Sequence, residues 1–95
     1  MTPLSVDCRQ ADGGWSCIVT VGEDTGATTH DVRVATDVLE RLALGAVEPT
    51  ALVRASFEFL LDREPRESIL RSFDLPVIGR YFPEWEAEVG DRLAR

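Results

Sequence analysis

Two runs of alternating residues joined by Ala11-Asp12-Gly13-Gly14 restrict the fold of this chain more than any other feature. Leu4, Val6 and Cys8 alternate with Ser5, Asp7 and Arg9, and Trp15, Cys17, Val19 and Val21 alternate with Ser16, Ile18 and Thr20. A period of two belongs to a strand with one buried face. Asp-Gly between such runs predicts a two-residue type I′ turn, where glycine takes positive φ at no steric cost. With Asp12 and Gly13 at its centre, Leu4 faces Val21, Val6 faces Val19, Cys8 faces Cys17 and Gln10 faces Trp15. One face of the hairpin is then almost wholly apolar. Moving the turn to Gly13-Gly14 changes the pairs but not the face.

Gly22-Glu23-Asp24-Thr25-Gly26 reads as a second turn, followed by His30, Val32 and Val34 alternating with Asp31 and Arg33. The prediction is a three-stranded antiparallel meander over about 4–10, 15–22 and 28–34, with the second strand central. Thr36 suits an N-cap and Asp37 the first turn of a short helix over 36–43 that Gly45 ends. Pro49 suits the first position of a helix over 49–62, whose broad stripe of Leu52, Val53, Ser56, Phe57, Phe59, Leu60 and Leu61 makes it the central helix. Pro65 opens a short helix over 65–73, with Ile69 and Phe73 inside and Glu67 and Arg71 paired outside. Further short helices follow over 75–82 and, after Pro83, over 83–93 with Trp85, Val89 and Leu93 on one line. The fold class is α+β, a single domain over 1–95, with the helix from Pro49 covering the apolar face of the sheet.

A chain of 95 residues buries roughly 60 to 65% of the surface its unfolded form exposes, enough for a core without staples. The apolar content of 44% and charged content of 28% lie in the globular range. Nothing approaches the ~18 apolar residues of a membrane span, and the start of the chain has neither a basic nor an apolar run. A cytoplasmic protein with no membrane partner is the expectation, and there Cys8 and Cys17 stay reduced. The net charge of −7 repels phosphate backbones, which makes nucleic acid an unlikely partner. All ten cations are arginine, as expected of a GC-rich genome.

Cys8, Cys17 and His30 fall on one face of adjacent strands and form the one candidate metal set. Side chains on a flat sheet leave it in parallel, whereas tetrahedral ligands converge. The preferred reading is two buried thiols and a histidine at the core edge, with a cross-strand disulfide as a further alternative. No metal and no cofactor are expected. His30 is the only histidine, the candidate nucleophiles sit on regular strands, and no glycine-rich phosphate loop is present. The expectation is that the protein is not an enzyme.

Six of the seven aromatic residues lie from Phe57 onward. In the segment from Arg63 to Trp85, the arginines Arg63, Arg66, Arg71 and Arg80 accompany Tyr81 and Trp85. Arg71, Arg80, Tyr81 and Trp85 are the candidate partner-contact residues. The competing reading is that Tyr81, Phe82 and Trp85 clamp the C-terminal turns onto the central helix while the arginines pair acids such as Glu67 and Glu84.

The stretch from His30 to Leu42 followed by Pro49 to Leu61 resembles the strand-helix-turn-helix order of ribbon-helix-helix repressors. With the preceding hairpin it also resembles HicB-type antitoxins, which join a small α/β domain to a DNA-binding tail. That resemblance implies that Thr29, Asp31 and Arg33 face the major groove. The run Glu67-Ser-Ile-Leu-Arg-Ser-Phe-Asp-Leu-Pro-Val-Ile-Gly-Arg-Tyr-Phe-Pro-Glu-Trp85 is similar to one in a family of small uncharacterised bacterial proteins, a resemblance that implies no activity. The functional expectation is a non-enzymatic protein-protein interaction or regulatory module. Its partner is an unidentified protein or a second copy of the chain, and the alternative is a ribbon-helix-helix or HicB-like DNA-binding antitoxin.

Overall fold

The computed structural model describes residues 3–23, 25–43 and 45–94. The expected meander is present, as β1 (Leu4–Ala11), β2 (Gly14–Val21) and β3 (Thr28–Ala35). Its first register agrees with the sequence reading pair by pair, Leu4 to Val21, Val6 to Val19, Cys8 to Cys17 and Gln10 to Trp15. The turn differs in class. Gly13 has φ 77° and no other described residue except a glycine has positive φ, so Asp12 does not supply the first half of a type I′ turn. Gly14 is fixed by crowding, since a Cβ there would sit 2.2 Å from the Val34 carbonyl oxygen on β3.

The sheet has a fourth strand. Ser72–Asp74 forms β4, parallel to β3 at its far edge, so the order is β1-β2-β3-β4 and both β2 and β3 are internal. The helix expected over 65–73 is instead a 3-10 turn at Arg66–Ser68 followed by extended chain. Ile69 and Phe73 are buried as expected, but a spacing of four is even and satisfies a strand as well as a helix. Long-range bonds decide between them, with the Asp31 amide donating to the Arg71 carbonyl and the Leu75 amide to the Arg33 carbonyl. The expected Glu67 to Arg71 pair is therefore not made, and Glu67 pairs with Arg66.

Four helices follow among the described residues: α1 (Thr36–Leu42), α2 (Thr50–Leu61), α3 (Val77–Tyr81) and α4 (Trp85–Leu93). Ala35 rather than Thr36 is the N-cap of α1, because the Thr36 amide and hydroxyl both donate to the Gly13 carbonyl and draw it into the ladder. Pro49 occupies the N-cap of α2, one position before the expected one, and the Glu48 carboxylate accepts from the Thr50 amide. None of these helices is long and apolar enough to cross a membrane.

Burial alternates along β3 without a break, which makes the sheet one layer with a helix-covered inner face and an open outer face. Val19, Val21, Val32, Val34, Phe57 and Phe73 meet in the core. α2 is buried nearly all round because it lies between the sheet and the C-terminal segment. Its Phe57 ring lies 5.3 Å from His30 and 6.1 Å from Phe73, while Phe59 meets Phe82 edge-on at 5.8 Å. Each such aromatic buries on the order of 150 to 250 Å².

Candidate functional site

The expected contact set separates into one core residue and three surface residues. Trp85 is fully buried, and its indole N–H donates to Ser56 Oγ at 3.1 Å. It therefore holds α4 against α2 and, contrary to expectation, is not a contact residue. A side chain so large with one polar atom is placed inside when that atom finds a partner, and the partner here lies 29 positions earlier. Tyr81, by contrast, is 68% exposed, and Arg71 and Arg80 are exposed as well.

The four arginines also divide. Arg63 stacks over the Phe59 ring at 3.7 Å and bridges Glu84 and Glu88, so it fastens α4 to the end of α2. The Glu84 carboxyl is held below its ordinary value by its own backbone amide and then by Arg63. Arg66 pairs with Glu67. Arg71 and Arg80 have no ion-pair partner among the described residues.

Between the end of α2, the 3-10 turn, β4 and α3 lies an apolar cleft of about 360 Å³. Leu60, Ile69 and Phe73 form its floor, and Leu70, Ile78, Tyr81 and Phe82 lie around it. Leu70 is 48% exposed, so two of the few large apolar side chains left in water among the described residues border one depression. Arg71 and Arg80 each adjoin one of them in sequence. The polar contributions are Ser68 and Glu64, whose carboxyl is raised by partial burial. Residue type does not single out Leu70, which reads in the sequence as one more apolar residue of the helix expected over 65–73. Only the extended chain, in which neighbours face opposite ways, turns it outward beside buried Ile69.

The second candidate set does not come together as a site. Cys8 and Cys17 form a disulfide, which corrects the expectation of reduced thiols. The Gly22 amide donates to the Pro3 carbonyl, so alternate pairs from there carry the hydrogen bonds and Cys8-Cys17 falls on a non-hydrogen-bonded pair. Such pairs are the close ones, and the two Cα atoms are 4.0 Å apart. The expectation of thiols rested on the assigned compartment, whereas the register itself brings the sulfurs together.

His30 is fully buried with both ring nitrogens bonded, to the Leu70 carbonyl at 2.7 Å and to Thr28 Oγ1 at 2.8 Å. A carbonyl only accepts, so Nδ1 carries the proton and Nε2 accepts from the threonine hydroxyl. Burial lowers the affinity of the ring for a second proton, the bond to Leu70 opposes this, and nearby Arg71 reinforces it. Thr28 is itself buried, so this hydroxyl-imidazole pair has no route to a substrate. Its effect is to tie β3 to the chain entering β4 and so to set the position of Leu70. Among the described residues no group of three or more His, Cys, Asp or Glu side chains is arranged to hold a metal ion.

The residues that the ribbon-helix-helix resemblance assigns to DNA lie on the open face of the sheet. Asp31 and Arg33 belong to β3, which is paired on both sides within the chain and has no free edge for a ribbon shared between two chains. Arg33 is also engaged, donating to Asp74 at 2.7 Å and to Ser72 at 3.1 Å. No family model matches the chain, and neither a curated protein nor a solved structure matches it.

Proposed function

We propose that this protein is a non-enzymatic interaction module, and that the cleft between β4 and α3 receives one apolar side chain of a partner protein. The observation that carries this reading is the pairing of Leu70 and Tyr81, both exposed, around an apolar cleft whose floor is already packed. A floor of buried Leu60 and Phe73 needs no rearrangement on binding, which lowers the ordering cost of a complex. Aromatic and aliphatic anchors seated in such depressions carry most of the energy of an interface. Arg71 and Arg80 are exposed and adjoin Leu70 and Tyr81 in sequence. Lacking ion-pair partners of their own, they favour carboxylates on either side of the anchor.

The test is selection from a library of displayed random peptides on the wild-type domain, scored again on Leu70→Glu and Tyr81→Ala. Both positions are exposed enough to be changed without opening the core. Enriched peptides are expected to carry an aromatic or aliphatic residue beside Asp or Glu, and to lose at least about tenfold in affinity on either variant. Failure to enrich any sequence, or enrichment of sequences that bind both variants unchanged, overturns the reading.

A further inference from the structure

We propose that a second copy of this chain pairs with the free edge of β1, antiparallel and about a two-fold axis at Cys8, joining two four-stranded sheets into one. This surface is separate from the cleft, and the inference does not depend on what the cleft binds.

The hydrogen-bonding pattern of the hairpin defines the edge. Because Pro3 bonds to Gly22, the residues of β1 bonded to β2 are Ser5, Asp7, Arg9 and Ala11. The amides and carbonyls of Leu4, Val6, Cys8 and Gln10 turn away from β2, and among the described residues they have no partner. β1 is eight residues long, pairs with β2 without a bulge and contains no proline, so it lacks those common protections of a sheet edge. The inner face beside it is also incompletely covered, since Leu4, Val6 and Cys8 are only half-buried while their β2 counterparts Val21, Val19 and Cys17 are fully buried.

Charge then selects one register. Asp7 and Arg9 are exposed on the outer face and have no ion-pair partner among the described residues. A two-fold axis at Asp7 sets that carboxylate against its own copy, and an axis at Arg9 does the same for the guanidinium. Directly opposed like charges on paired strands are destabilising. An axis at Val6 sets Asp7 against the partner's Ser5, a neutral pairing. An axis at Cys8 places Asp7 opposite the partner's Arg9 and Arg9 opposite the partner's Asp7, so the same complementary pair forms twice. In that register Val6 exchanges backbone hydrogen bonds with the partner's Gln10, Cys8 with the partner's Cys8, and Gln10 with the partner's Val6. The charges that guard the edge against other strands thus match it to itself, as the isologous interface of a two-fold dimer requires.

Sedimentation velocity on the full chain tests this. The wild type is expected at twice the chain mass, and Asp7→Arg and Arg9→Asp singly at the chain mass. One variant then presents two cations and the other two carboxylates, so an equimolar mixture of the two is expected to return to twice the mass. A wild type that stays monomeric at millimolar concentration overturns the proposal. So do single variants that still dimerise, or a mixture that stays monomeric. Should either variant fail to fold, amide exchange of the wild type decides alone. Exchange at Val6, Cys8 and Gln10 is expected to slow as concentration rises while that at Ser72 and Asp74 on the opposite edge does not. Unchanged rates at the β1 amides contradict the dimer.

Discussion

Ser56 Oγ joins two helices through one atom, donating to the Leu52 carbonyl at 2.8 Å while accepting from the Trp85 indole. Ser56→Ala keeps the size of the site nearly unchanged but leaves a buried N–H without a partner. It is expected to lower stability by about 1 to 3 kcal/mol in chemical denaturation. His30 offers a second residue-scale test through pH. Its folded-state pKa lies below the ordinary 6.5, so the unfolded chain takes up the proton first as the solution is acidified. The contribution of the neutral ring is complete above that value and declines as pH falls through it, until the folded protein also protonates. Melting temperature followed across this range is expected to fall on the acid side, and a His30→Leu variant to lack that component. Neither role was legible from residue type. A serine on an apolar stripe and a lone histidine on a strand take their meaning from partners 29 and 40 positions away.

At the scale of elements, legibility followed the range of the interactions. The hairpin was readable to the register because its alternation, its two-residue loop and its partner all lie within eighteen consecutive residues, Leu4–Val21. The central helix was readable because its wide apolar stripe is packed on two sides, against the sheet through Phe57 and against α3 and α4 through Phe59 and Ser56. β4 was not, being three residues long and paired with a strand about forty positions earlier. The same geometry that fixed the hairpin register also set the two sulfurs opposite each other. Their bond spans nine positions, and closing so short a loop in the unfolded chain contributes about 2.5 kcal/mol in the chain-entropy account. Reduction is expected to lower the denaturation midpoint accordingly, and alkylation is expected to label the native protein only after reduction. Labelling of both cysteines without reductant contradicts the disulfide.

For the whole molecule, charge and exposure assign different work to different surfaces. The glutamates at the start of α4 are taken up by arginines from elsewhere, with Glu86 on Arg41 and Glu84 and Glu88 on Arg63, and Arg92 on the same helix reaches back to Asp62. This lacing answers the question the sequence left open about the arginine-rich segment. Arg63 fastens α4 to α2 and Arg66 pairs with its neighbour Glu67, whereas Arg71 and Arg80, next in sequence to Leu70 and Tyr81, are exposed without an ion-pair partner among the described residues. The central claim is that the cleft, and not exposed apolar surface in general, is where a partner docks. Ile18 provides the control, since it is 39% exposed on the open face of the sheet, away from the cleft. The direct measurement is calorimetric titration of a selected peptide into the wild type, Leu70→Glu and Ile18→Glu. The account expects Leu70→Glu to weaken binding at least about tenfold and Ile18→Glu to leave it unchanged. Equal losses in the two variants, or a loss confined to Ile18→Glu, would contradict it.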